Sequence, residues 1–277
     1  MFLIQSLDLI ARISDILGKN TEKANFEAEA QAARAEFHDE YVTPNGRMVS
    51  DTQATYALAI CLDILTPAQR VRAGCRLVEL VRKNNFKIAT GFAGTPFICE
   101  ALATTGHIQV AYSMLLEKQC PSWLYPVTMG ATTVWERWDS MLPDGSINPG
   151  DMTSFNHYAF GAVAKFLFER VAGLQRLDPG WRTCRVAPAI GADFIHASAS
   201  HVTPHGTVSC SWQTIANEKG GETFDLQISV PYGMTAEVIL PDGESEKKET
   251  VGHGKWSFQS IFRRDYEWPV PPLKPKS

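Results

Sequence analysis

The residues best suited to chemistry lie between Gly130 and Asp139, GATTVWERWD, where Trp135, Glu136, Arg137 and Trp138 follow one another directly. A carboxylate beside a cation is held ionised, and flat apolar rings on either side offer a resting face for a pyranose. This is the chemistry of a sugar site. The plainer alternatives are a surface ion pair between Glu136 and Arg137, and indoles that serve as core near a helix end. Upstream stand Cys120-Pro121-Ser122-Trp123-Leu124-Tyr125, and downstream Ser154-Phe155-Asn156-His157-Tyr158. An imidazole can donate from one nitrogen to a sugar hydroxyl while the protein anchors the other, so His157 is a candidate ligand as well as a candidate structural residue. Trp123 joins Trp135 and Trp138 as a possible platform. Asn156 reads as a helix cap more readily than as a ligand.

Taken together, PSWLYPVTMGATTVWERWD and the later SFNHYAFGAV resemble the α-L-rhamnosidase family, inverting glycoside hydrolases with a helical-toroid catalytic domain. The resemblance implies that Glu136, in W-E-R-W, is the general base, and that His157 hydrogen-bonds the bound rhamnose. It further implies a (α/α)6 toroid followed by a β-sandwich, no cofactor and no metal, and a rhamnosylated small molecule or oligosaccharide as partner. Thr90-Gly91-Phe92-Ala93-Gly94-Thr95-Pro96 is similar to a TGFxGT stretch that joins two barrel helices near the mouth of the family's site. It follows no strand, so it is not a phosphate loop.

The elements that must position these residues are legible from periodicity. Apolar residues recur at helical spacing to about residue 172, giving helices near 1–17, 21–40, 51–64, 67–83, 94–105, 107–118 and 156–172, with a short turn near 132–138. Short connections at Gly18, Pro44-Asn45-Gly46, Pro67 and Gly106 predict helical hairpins. Ser50 or Asp51 should cap the helix that follows. After Gly173 the period becomes two: Val208, Cys210 and Trp212, then Phe224, Leu226, Ile228 and Val230, then Ala236, Val238 and Leu240. Turn signals at Pro204-His205-Gly206, Gly220-Gly221, Tyr232-Gly233, Pro241-Asp242-Gly243 and Gly252-His253-Gly254 separate these runs. The pattern predicts an antiparallel β-sandwich, and Pro269-Val270-Pro271-Pro272 an extended tail. The domains are thus a partial helical toroid over 1–180 and a β-sandwich over 181–277.

Composition narrows the function classes. With 44% hydrophobic and 20% charged residues the 277-residue chain is ordinary globular material, and a net charge of −4 with scattered cations argues against nucleic acid. Asp8 and Arg12 interrupt the apolar start before a leader or membrane span is complete. The six cysteines show no CxxC pair, which favours buried free thiols and a reducing, cytoplasmic setting.

Two carboxyl groups are needed to hydrolyse a glycoside, and only one is in view. The family's general acid lies in an Asp- and Arg-rich segment upstream, and nothing from Met1 to Val49 resembles it. Asp51, Glu100, Asp139 and Asp144 are weak substitutes; Asp139, three residues from Glu136, would lie too close to admit water. Seven or eight helices also fall short of twelve. The expectation is the later half of a catalytic domain, inactive alone, whose partners are the missing half or a second copy. The alternative is a non-catalytic sugar-binding or assembly remnant.

Overall fold

The computed structural model describes residues 1–216, 221–241 and 247–273. Two compact units divide the chain: Met1–Phe160, joined by the segment from Val270, and Gly161–Pro269.

In the first unit the helices pair in sequence order. α1 (Phe2–Ile16) packs on α2 (Asn20–Tyr41), α3 (Gln53–Cys61) on α4 (Pro67–Lys83), and α5 (Gly91–Thr104) on α6 (Ile108–Leu116). The start of α4 shows why local sequence decides: Thr66 and Gln69 form a reciprocal capping box and Pro67 fills the first helical position, where its missing N–H costs nothing. Tyr56, Ile60, Leu77, Ile98, Leu102, Tyr112 and Met114 are essentially inaccessible and form the core. α3 and α5 approach closely because Gly94 has no side chain; a Cβ there would stand 3.0 Å from that of Ala54. A five-residue helix, α7 (Leu124–Thr128), follows.

Three local expectations are corrected. The cap of α3 is Thr52, whose hydroxyl accepts from the Thr55 N–H; Asp51 is instead drawn to Arg76 and Tyr56. α5 begins at Gly91, so the glycine-rich stretch is helical, and Thr95 Oγ1 bonds the Gly91 carbonyl 2.6 Å away. Residues 132–138 form bends and a turn, in keeping with the short turn expected there. The 156–172 helix starts late, as a 3₁₀ turn at Ala159–Ala162 running into α8 (Val163–Phe166) and a π-helical turn at Leu167–Val171.

The second unit is a sandwich of two four-stranded sheets. β1 (Leu174–Arg176), β2 (Thr183–Val186), β6 (Thr235–Leu240) and β7 (Lys247–Val251) form one, in that order. β3 (His196–Thr203), β4 (Gly206–Ala216), β5 (Glu222–Val230) and β8 (Gly254–Phe262) form the other. All pairings are antiparallel except β2 with β6, which are parallel, a departure that period-two patterning cannot foretell. The sheet begins at Leu174 and the compact unit at Gly161, ahead of the Gly180 boundary read from periodicity. Every alternating residue named above is buried between the sheets. Turns at Pro204–Gly206, Tyr232–Gly233 and Gly252–Gly254 separate strands as expected; Gly220 and Asp242-Gly243 lie outside the described residues. The proline-rich end joins no strand, and the Arg82 guanidinium donates to the Pro271 carbonyl. All six cysteines are free, with Cys99, Cys184 and Cys210 buried and Cys75 exposed.

Candidate active site

Two irregular segments of the first unit, Thr133–Asp139 and Ser154–Phe160, are laced side by side. The His157 N–H donates to the Val134 carbonyl at 2.8 Å, the Glu136 N–H to the Ser154 carbonyl at 2.8 Å, and the Thr133 hydroxyl to the Phe155 carbonyl. The Ser154 N–H returns the exchange, donating to Glu136 Oε2 at 3.1 Å. This short two-stranded exchange, rather than a helix, ties the segment of Glu136 to that of His157. Oε2 is thereby fixed by a charge-assisted bond, while Oε1 has no hydrogen-bond partner among the described residues.

Arg137 does not serve Glu136. Its guanidinium forks onto Asp139, with Nε 2.7 Å from Oδ1 and Nη2 3.2 Å from Oδ2, and reaches the Asp151 carbonyl. The bond from Arg137 and the donation from Asn148 hold the Asp139 carboxyl below the usual carboxylate range. Asp51 and Asp144 are also held low, by Arg76 and by Ser146 respectively. A general acid must stay protonated near neutral pH, so these three carboxyls are tuned the wrong way for that task.

The tryptophans separate into different roles. Trp135, expected as a platform, is 4% exposed and meets Phe155 edge to face at 5.2 Å, so its ring is core that braces the two segments and has no face to give a sugar. Trp138 is half-buried, stacked on Phe160 at 3.8 Å with Trp123 perpendicular to it at 5.9 Å. Trp123 also donates its indole N–H to the Phe160 carbonyl.

His157 is clamped between parallel rings, Phe92 at 4.9 Å and Tyr158 at 5.3 Å. Its Nδ1 accepts the Ala159 N–H at 3.2 Å, so the neutral ring carries its proton on Nε2 and presents a donor outward. The side chain of His157 thus meets the helix start that Asn156 was expected to cap; the Asn156 backbone bonds the Ser154 hydroxyl instead. Phe92 also touches Phe160 at 5.1 Å, which makes one continuous aromatic row: Tyr158, His157, Phe92, Phe160, Trp138, Trp123. Phe92 and Tyr158, 37% and 88% exposed, and the buried Phe160 are the members that sequence reasoning passed over. Tyr158 could have been found from its place next to His157; Phe92 lies far back in the sequence on α5, and only folding brings it there.

A helical-hairpin unit bearing a carboxylate and an aromatic row, followed by a β-sandwich, is the plan of a six-hairpin glycosidase. Residues 1–171 match the model of the bacterial α-L-rhamnosidase six-hairpin glycosidase domain, and residues 173–255 that of the bacterial α-L-rhamnosidase C-terminal domain. The chain belongs to the bacterial α-L-rhamnosidase family. It is 38% identical over 257 residues to an α-L-rhamnosidase of Streptomyces avermitilis and 37% over 247 residues to one of Formosa agariphila, covering 93% and 88% of this chain. It spans 24% and 26% of the length of those relatives. Among solved structures, the native α-L-rhamnosidase of Aspergillus terreus aligns at TM-score 0.88 and 40% identity, over 95% of this chain and 30% of that one. The Streptomyces avermitilis α-L-rhamnosidase complexed with L-rhamnose aligns at TM-score 0.86 and 35% identity, over 92% of this chain and 26% of that one.

Proposed function

We propose that this chain carries the general-base side of an inverting α-L-rhamnosidase site, which cleaves a terminal non-reducing α-L-rhamnose from a small molecule or oligosaccharide. The observation that supports this best is the state of Glu136. One carboxylate oxygen is fixed by the Ser154 N–H, and the other is open to polarise and deprotonate a water. His157 Nε2 donates to a sugar hydroxyl, and the ring edges of Phe92, Tyr158 and Trp138 meet the apolar face and methyl group of a deoxy sugar. The water attacks the anomeric carbon as Glu136 takes its proton. The leaving oxygen receives a proton from the second carboxyl group, which we place outside these 277 residues because nothing from Met1 to Val49 resembles the family's acid segment and the Asp51, Asp139 and Asp144 carboxyls are held below the usual range. The relative crystallised with L-rhamnose supports the choice of sugar.

The test is product stereochemistry. A whole enzyme containing this region, given a nitrophenyl α-L-rhamnoside and followed by proton NMR, releases β-rhamnose first. Release of α-rhamnose first overturns inversion. The 277-residue chain alone shows no turnover; full activity from it would mean that the acid lies within it.

A further inference from the structure

The sandwich carries a concave surface that the proposed rhamnoside hydrolysis does not use. A groove of about 730 Å³ crosses the face of the β3-β4-β5-β8 sheet opposite to the core. Because Val208, Cys210 and Trp212 point inward, their neighbours point out, and the strand register aligns them in rows. Ser198, Ser211, Gln227 and Ser257 stand opposite one another in one row. Ser200, Ser209, Ser229 and Lys255 form the next. None of these hydroxyls bonds another side chain or backbone group among the described residues.

The floor of the groove is polar and its apolar contribution comes from one side. Trp256, paired with the inward-facing Ile228, turns to the core side of the sheet and takes no part. Phe168, 44% exposed, lines the groove and also a smaller hollow beside Trp181 and His201, which sets it at the β3 side. Lys255 is the sole charged residue on the lining.

We propose that this groove binds an acidic oligosaccharide laid across the strands. Serine hydroxyls both donate and accept, as sugar hydroxyls do, so each partner can satisfy the other in either sense. Neighbouring members of a row repeat at the strand spacing of about 4.8 Å, close to the rise per ring of an extended glycan. The Phe168 ring at the β3 side suits a C–H face, and Lys255 selects a carboxylate-bearing sugar. A protein partner fits poorly, since interface cores are enriched in aromatic residues and depleted in serine. One lysine cannot neutralise a phosphate backbone, which disfavours nucleic acid.

The experiment is calorimetric titration of the 277-residue chain with tetragalacturonate and, separately, with neutral maltotetraose. Tetragalacturonate binds and maltotetraose binds at least tenfold more weakly. Lys255→Ala lowers the acidic affinity roughly tenfold, the size of one charge-assisted hydrogen bond, and leaves the neutral one unchanged. Ser211→Tyr, at an exposed central-strand position that accepts an aromatic residue, blocks the groove and abolishes binding; Gln227→Ala weakens it should the bulky variant misfold. Glu136→Gln leaves it intact, which separates this groove from the hydrolytic site. Absence of tetragalacturonate binding, its persistence in both Ser211→Tyr and Gln227→Ala, or equal affinity for the neutral probe overturns the proposal.

Discussion

Replacing Trp135 by alanine separates the two roles an indole can play beside Glu136. The ring is 4% exposed and lies edge to face on Phe155, between the backbone bonds that join Val134 to His157 and Glu136 to Ser154. Removing a fully buried Trp costs about 3–5 kcal/mol, of which the aromatic pair accounts for about 0.5–1.5. Set against the ~5–15 kcal/mol of a typical domain, that is about a fifth or more of the stability. Urea unfolding followed by far-UV circular dichroism should show the midpoint falling with an unchanged slope, since the loss is one of packing and not of compactness. Trp135→Phe should recover more than half of it. Tyr158→Ala is the control: at 88% exposure it should stay within about 0.5 kcal/mol of the parent. A Trp135→Ala protein destabilised by less than ~1 kcal/mol, with its defect confined to sugar binding, would refute the brace and restore the platform.

Further outcomes follow from the same geometry. In a whole enzyme, Tyr158→Ala and Phe92→Ala free the His157 ring and should raise KM several-fold with a smaller effect on kcat, read from steady-state kinetics. The Asp51 carboxyl is held low chiefly by Arg76, so the pair stabilises above the unfolded carboxylate pKa of about 3.9 and is lost as pH falls through the lower folded value. Asp51→Asn should therefore cost at most about 1 kcal/mol near neutrality, given the exposure of the pair, and nothing in acid; chemical denaturation at several pH values checks this. Leu3, Ile13, Ile16 and Leu17 are 66, 53, 84 and 64% exposed on and just past α1. Sedimentation of the chain alone should show self-association that Ile13→Lys with Ile16→Lys relieves, because apolar patches of that kind seek cover.

The helices were legible wherever local rules agreed. α4 matched its expected bounds because capping box, proline and apolar stripe all point one way. The strands were legible because half-buried sheets write their faces into alternate residues, as Phe224 to Val230 show. What stayed hidden depends on long-range contact. Trp135 and Trp138 are indistinguishable as neighbours of Glu136, yet one is packed inside on Phe155 and the other shares a row with Phe160 and Trp123. Arg137 looked as though it could hold Glu136 ionised, but Asp139 offers both oxygens to its fork and Glu136 has a backbone donor instead. The parallel β2–β6 pair and the placement of Phe92 on His157 arise from topology, which no window of sequence contains.

The role of Glu136 is tested most directly by Glu136→Gln in a whole enzyme acting on a nitrophenyl α-L-rhamnoside. Glutamine keeps the acceptor for the Ser154 N–H but cannot take a proton from water. The account predicts a fall in kcat of roughly 10²–10⁴-fold with KM little changed, because the interaction lost is made in the transition state. Turnover equal to that of the parent would contradict it and remove Glu136 from the reaction.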